Sequence, residues 1–164
     1  MLRSLLLLPF LLGLGIPAVL AGIADSALPV LDPSAKTLLL LSVPGVRNDD
    51  PIRTVFTCTS TSTAPMKVAV EIFDSQGTVA NDAAATAWSL NPGATAVFVT
   101  GSVNLVGYNV LFAAIPAIDN LSARILATSK SLICTAYFTD GSTWPPPFAS
   151  YLPMIAKTKQ KATN

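Results

Sequence analysis

The segment MKVAVEIFDSQG, residues 66–77, carries the clearest structural pattern in the sequence. Its apolar side chains alternate with Lys67, Ala69 and Glu71, and this period of two is typical of a β-strand with one face toward a core. The core-facing set is Met66, Val68, Val70 and Ile72. Residues 74–77 end the strand in a tight turn, because Gly77 accepts the positive φ that such turns often need. The segment predicts one strand of an all-β domain.

Further strand signals lie on both sides of this segment. The run KTLLLLSV at 36–43 has the length of a buried strand, and residues 52–59 alternate with β-branched side chains. Residues 123–128 and 132–139 read as a hairpin, whereas residues 102–120 carry little pattern. Turn signals recur at intervals of about ten residues, with no convincing long helix. We predict an all-β fold, an antiparallel immunoglobulin-like β-sandwich of about seven or eight strands.

The two cysteines lie in strands with similar flanks, FTCT at 56–59 and LICT at 132–135. An exported chain with two cysteines most simply contains one disulfide, so we predict a bond between Cys58 and Cys134, in or beside the core. Closing a loop of roughly 75 residues would stabilise the fold by about 4 to 5 kcal/mol. Two buried free thiols or a redox pair are the alternatives, and the close spacing typical of a redox pair is absent.

The first 21 residues have the three regions of a secretory signal peptide. Arg3 supplies the positive region, residues 5–20 are mostly apolar, and residues 19–21 (VLA) form a cleavage site with small side chains. We predict a signal peptide at 1–21 and a secreted or periplasmic protein with no stable membrane span after cleavage. A retained anchor is the alternative, although the apolar run is shorter than the roughly 20 residues that cross a bilayer.

The predicted mature chain has three parts. Residues 22–35 contain two prolines among small residues and form an extended leader, and residues 36–143 form the β-sandwich domain. Residues 144–164 form a proline-rich aromatic segment with a cationic tail, in which WPPPF at 144–148 must be extended. The tail is interpreted as a solvated terminus, or as a weak attachment to an anionic surface.

The composition excludes several kinds of chemistry. The chain has no histidine, so it cannot build a Ser-His-Asp triad, a Cys-His dyad or a histidine-bearing metal site. A formal net charge of +1 gives no basic surface for nucleic acid, and no phosphate-binding glycine motif occurs. Most acidic residues lie at turns, where they usually make local hydrogen bonds. We expect no enzyme, no catalytic residue, no metal and no cofactor; calcium at Asp49/Asp50 or Asp74/Asp82 is a less favoured alternative.

Six short blocks of the sequence together resemble a group of small exported bacterial β-sandwich proteins of unassigned function. The blocks span roughly residues 43–139, and they are VPGV (43–46), TVFTCT (54–59), VEIFD (70–74), NPGAT (91–95), ARILAT (123–128) and LICTA (132–136). The resemblance implies a secreted sandwich with the cysteine pair. It brings no catalytic residue with it.

Four aromatic residues are the candidate ligand or partner contacts: Trp88, Trp144, Phe148 and Tyr151. They lie beside loops and prolines, and exposed rings anchor protein partners or stack on sugars. The other interpretation is that residues 144–151 fold back and cap an open end of the sandwich.

We therefore expect an exported structural or interaction domain of the bacterial cell envelope or exterior. Its partner would be an envelope or extracellular protein or a second copy, to which residues 22–43 would add as a strand if they do not pair within their own domain. The alternative is a carbohydrate-binding module that uses the loop aromatics on a glycan.

Overall fold

The computed structural model describes residue 23 and residues 26–103, 110–112 and 118–157. The predicted signal peptide at 1–21 and most of the cationic tail lie outside these residues. In the described part the regular structure is ten β-strands with no helix, so no helix there is able to cross a bilayer. The strands are β1 Leu38–Asp49, β2 Ile52–Ser60, β3 Met66–Phe73, β4 Trp88–Leu90, β5 Thr95–Val99, β6 Val110–Phe112, β7 Ile118–Ala127, β8 Leu132–Asp140, β9 Ala149–Tyr151 and β10 Ile155–Ala156. The predicted all-β fold is confirmed.

The strands are hydrogen-bonded into one sheet with the order β4-β3-β7-β1-β2-β5-β6. In addition, β8 pairs with β2, β9 with β8, and β10 with β1. The pairings are antiparallel except that of β5 with β6, which is parallel. Four of the strands have only two or three residues, which is too short for a recognisable alternation. For that reason the sequence predicts fewer strands than the fold contains.

Strands from both ends of this order share one buried apolar cluster. Six of the strands, β1, β2, β3, β5, β7 and β8, each contribute to this cluster. Examples, in that order, are Val43, Phe56, Val70, Phe98, Ile125 and Ala136. The sheet therefore folds back on itself in a sandwich-like arrangement, with β1 passing into β2 where Asn48 lies opposite Arg53. The four β3 side chains predicted to face the core are all buried in this cluster. Their alternation is the reason that all four share the core-facing side of β3.

The disulfide joins two neighbouring strands. Cys58 on β2 lies directly opposite Cys134 on β8, with their Cα atoms 4.1 Å apart, and the two sulfur atoms are bonded. Both cysteines are buried in the main cluster, as predicted. In antibody domains the corresponding bond links two facing sheets. Here it links hydrogen-bonded neighbours, so apolar packing holds the facing halves of the sheet together, and the immunoglobulin-like topology stays a prediction.

The outward side of β3 is also buried. Ala69 and Glu71 alternate with the core-facing residues, yet both are shielded from solvent. A second apolar cluster lies over this side, in which Leu31 of the leader packs with Ala69, Ala83 and Leu126. The leader and the connection between β3 and β4 thus form an additional layer on β3 and β7.

The chain after the proline run closes an edge of the sheet. In β9, Tyr151 lies opposite Tyr137 of β8, and in β10, Ala156 lies opposite Leu41 of β1. Between these two short strands, Leu152 and Met154 pack against the main cluster. Residues 149–156 therefore add to the edges of β8 and β1 and belong to the same sheet as the predicted domain at 36–143, whereas capping of an open end by residues 144–151 stays a prediction.

Candidate functional site

Three of the four candidate aromatic residues lie together on the chain from β8 through β9. Trp144, Phe148 and Tyr151 are 54%, 40% and 80% exposed. Two of these rings contact aromatic residues of β8 edge-on. The ring centroids of Tyr151 and Tyr137 are 6.3 Å apart, and those of Phe148 and Phe138 are 6.4 Å apart. We call Tyr137, Trp144 and Tyr151 the aromatic face. Phe148 does not belong to it, because Phe148 packs on Phe138, whose side chain points to the other side of β8 from Tyr137. The Tyr151 ring packs on Tyr137, and the Trp144 and Tyr151 side chains remain more than half exposed.

A cavity of about 310 Å³ opens beside the aromatic face. It lies on the outward side of β2, β5 and β8, because Phe56 and Cys58 point into the core and the residue between them points away. Its walls are Thr57, Val97, Tyr137, Thr139, Trp144, Pro146 and Ala149. None of these described lining residues carries a charge. The cavity therefore suits an uncharged ligand with one apolar side.

Threonine side chains continue from the cavity across the same sheet surface. Thr57 lies opposite Thr135, and Thr59 lies opposite Thr95 with their hydroxyl oxygens 2.8 Å apart. Ile133, next to Thr59 across the strands, is largely exposed. The sheet surface beside the aromatic face is thus rich in hydroxyl groups, each of which is able to donate and to accept a hydrogen bond.

Trp88 lies apart from the other three candidates. It is on β4 at one end of the strand order, directly opposite Val68 of β3. Cross-strand partners point to the same side of a sheet, and Val68 points into the core. The Trp88 ring, at 40% exposure, therefore covers the rim of the core as well as facing solvent. The structure does not bring Trp88 into the aromatic face.

A buried ion pair lies under the leader, at a place that the sequence patterns did not reveal. Glu71 of β3 is directly opposite Arg124 of β7, and the Arg124 Nε donates a hydrogen bond to a Glu71 carboxylate oxygen. The Arg124 side chain is fully buried, and its guanidinium lies 5.1 Å from the centre of the Phe73 ring. The signal in the sequence is weak: Glu71 and Arg124 each stand next to apolar residues in a strand, and the register that pairs them relates residues far apart in the chain.

The Arg124 guanidinium also binds the leader. Nη2 donates to the Ala27 carbonyl at 2.8 Å, and Nη1 donates to the Ser26 and Ile23 carbonyls at 3.0 and 3.3 Å. Leu31 is buried close by, and Leu28 packs against the same cluster. We call the surface formed by Ala69, Glu71, Ala83, Arg124 and Leu126 the leader groove. In this groove Arg124, which is paired with Glu71, donates hydrogen bonds to the leader backbone, and the apolar residues contact the leucine side chains.

The acidic residues at turns make local contacts. In the turns at Asp74, Asp82 and Asp140, a carboxylate oxygen accepts hydrogen bonds from backbone N–H groups two to four residues ahead. Hydrogen bonds from the Ser142 hydroxyl and backbone N–H lower the pKa of Asp140 below its ordinary value. Asp49 and Asp50 pair with the guanidinium groups of Arg47 and Arg53. Among the residues with described positions, no group of three or more acidic or cysteine side chains is arranged to hold a metal ion.

Comparison with models of protein families, with curated proteins and with solved structures finds no match for this chain. The resemblance to exported bacterial proteins therefore stays a prediction from the sequence blocks. Function has to be inferred from the aromatic face, the uncharged cavity and the leader groove.

Proposed function

We propose that this protein is an exported, non-enzymatic interaction domain of the bacterial cell envelope or exterior, and that it binds its partner through the aromatic face. The partner is an envelope or extracellular protein or a second copy of the chain. The observation that carries the proposal is the exposure of Trp144 and Tyr151 beside Tyr137. Large exposed rings in one patch typically mark a binding surface, since they gain free energy when a partner covers them.

The aromatic face is held in place before any partner arrives. The three prolines between Trp144 and Phe148 restrict the backbone. Phe148 is tied to β8 by its carbonyl, which accepts a hydrogen bond of 2.7 Å from the Thr139 hydroxyl, and Tyr151 is tied by strand pairing. Binding then costs little conformational entropy, because the rings are ordered in the free protein.

The proposed compartment is supported by the disulfide. Cysteine bonds persist in oxidising surroundings such as the periplasm and the cell exterior, and they are rare in the cytosol. The bond between Cys58 and Cys134 is consistent with export directed by residues 1–21.

Site-specific photocrosslinking in the native host tests this function. A photoreactive amino acid is placed at position 144 or 151, and at the control positions 63 and 91, where Thr63 and Asn91 are exposed residues of connections between strands, outside the aromatic face and the leader. We expect adducts from 144 and 151 and none from the controls, with the adduct mass separating a second copy from a different protein. Equal adducts at all four positions, or none at 144 and 151, would contradict the proposal.

A measurement with the purified partner gives the magnitude. Rings at the centre of an interface often contribute about 2 kcal/mol or more, so Trp144→Ala and Tyr151→Ala should each weaken binding by roughly thirtyfold. Val79→Ala is the matched control and should leave the affinity unchanged, because Val79 lies in the connection between β3 and β4. Both aromatic variants should keep the thermal stability of the parent, since their rings are largely exposed.

A carbohydrate-binding module is the second candidate, favoured by the uncharged cavity beside Trp144. The apolar faces of sugar rings stack on indole, and the Thr57 and Thr139 side chains line the same cavity. Trp144→Ala should abolish the binding of the protein to a neutral polysaccharide. Trp88→Ala should leave that binding unchanged, because Trp88 lies on β4 and does not line the cavity. The absence of any retention of the parent protein on a broad panel of glycans would exclude this candidate.

A further inference from the structure

The leader lies on its own sheet in the way that an extended peptide lies in a receptor. Arg124 donates hydrogen bonds to three backbone carbonyls of the leader, while Leu28 and Leu31 pack against the apolar part of the leader groove. We propose that the leader groove is a peptide-binding site that also accepts the leader of a second copy, so that two chains associate by exchanging residues 23–31. This inference goes beyond the proposed function, because it concerns the leader groove on β3 and β7, whereas the aromatic face lies at β8 and β9.

The groove requires an occupant with hydrogen-bond acceptors. The Arg124 side chain has no solvent exposure, and Glu71 satisfies only part of its five N–H donors. A buried guanidinium whose remaining donors lacked partners would be costly, so the carbonyl groups above it are needed to keep this charge in the sheet. An empty groove is therefore disfavoured, and an opened chain gains by taking up a replacement segment.

The structure itself defines which segment fits. The leader of a second copy has the same carbonyl spacing and the same leucines, so it would make the same contacts in the groove. Exchange of an identical element between copies needs no new complementary surface and is a low-cost route to a dimer. Among candidate occupants, an identical leader is the one whose contacts are already present.

The connection between the groove and β1 contains a turn that can act as the hinge. The Ala35 N–H donates to the Asp32 carbonyl at 3.2 Å, and an Asp32 carboxylate oxygen accepts from the Ser34 N–H and hydroxyl at 2.8 and 2.7 Å. The bonds to the carboxylate are exposed to solvent, where water replaces them at little cost. Opening residues 32–37 would give a reach of about 20 Å, enough to carry the leader to a neighbour.

A labelled peptide tests whether the groove accepts a leader in trans. The peptide IADSALPVLDPSAKT, residues 23–37, carries a fluorophore and is mixed with the exported protein, and uptake is followed by fluorescence anisotropy. The attached leader competes at an effective concentration of the order of millimolar, so the parent protein should take up peptide only weakly.

Two substitutions at one position should act in opposite directions. Leu31→Ala in the protein weakens the attached leader and should raise peptide uptake about tenfold, whereas Leu31→Ala in the peptide should lower it about tenfold. Val30→Ala is the matched control in each partner, because Val30 is 67% exposed and Leu31 only 7%. The two Val30 changes should leave uptake the same as with the parent pair.

Native mass measurement of the unaltered protein is the second readout. The dimer fraction should rise between about 10 μM and 1 mM, and Leu31→Ala in every copy should speed the exchange without changing this fraction, because the closed monomer and the exchanged dimer lose the same contact. A folded Leu31→Ala protein that takes up no peptide, uptake of a scrambled peptide equal to that of the leader, or a strictly monomeric parent at 1 mM would overturn the inference. Trp144→Ala must leave uptake unchanged, so failure of the aromatic-face function and failure of leader exchange are distinguishable.

Discussion

Replacing Glu71 by leucine should be among the most damaging single changes in the sheet. The substitution leaves the Arg124 guanidinium buried over Phe73 without its counter-charge. Removing one partner of a buried ion pair typically costs about 3–5 kcal/mol, because the remaining charge keeps its desolvation penalty and loses its compensation. A domain of this size has a free energy of unfolding of about 5–15 kcal/mol, so the loss is a large part of the total. We expect Tm to fall by roughly 10–20 °C.

Urea unfolding of Glu71→Leu, Arg124→Leu and the double variant measures this coupling. The free energy of unfolding is obtained from tryptophan fluorescence with the disulfide intact. The double variant should lose less than the two single variants together, since it buries no unpaired charge. Asp50→Asn is the matched control: Asp50 is an exposed carboxylate 3.2 Å from Arg53, and its loss should cost less than about 1 kcal/mol. A Glu71→Leu loss below about 1 kcal/mol, or strict additivity of the two single changes, would refute the reasoning.

Three further predictions concern the disulfide, the tryptophans and pH. Reduction of the bond between β2 and β8 should lower the free energy of unfolding by about 4 kcal/mol, seen as a lower urea midpoint, and an unchanged midpoint would contradict it. Trp88→Ala should lower Tm more than Trp144→Ala does, because only the Trp88 ring covers the core; equal melting curves would count against that placement. The Asp140 carboxyl should titrate below its ordinary pKa of 3.8 in an NMR experiment, and Ser142→Ala should raise its pKa toward that value. Since the folded pKa is the lower one, the stabilising effect of this group is present above pH 3.8 and is lost as the pH falls through the folded pKa; no shift in the variant would contradict the hydrogen-bond cause.

Local pattern was sufficient where the signal depends on neighbours in the sequence. The alternation in residues 66–73 encodes a strand and its buried face, because successive side chains of a strand point to opposite sides. The pairing of the two cysteines followed from the expected export of the chain. Their similar flanking residues predicted that both face the core, where the structure has them. The aromatic residues beside prolines at 144–151 were open to two interpretations, contact or capping, and the structure leaves Trp144, Phe148 and Tyr151 with large exposed fractions.

The tertiary structure alone decided which distant residues meet. Nothing in the sequence near Glu71 indicates that Arg124 lies opposite it, since strand register is set by hydrogen bonds between segments some fifty residues apart. The outward side of β3 looks solvent-exposed by its alternation, and it becomes a buried surface because the leader and the connection between β3 and β4 fold over it. Trp88 was separated from Trp144 by strand order, which local periodicity does not contain. Periodicity specifies which side chains share a face of a strand, whereas the neighbour across that face is selected by the packing of the whole chain.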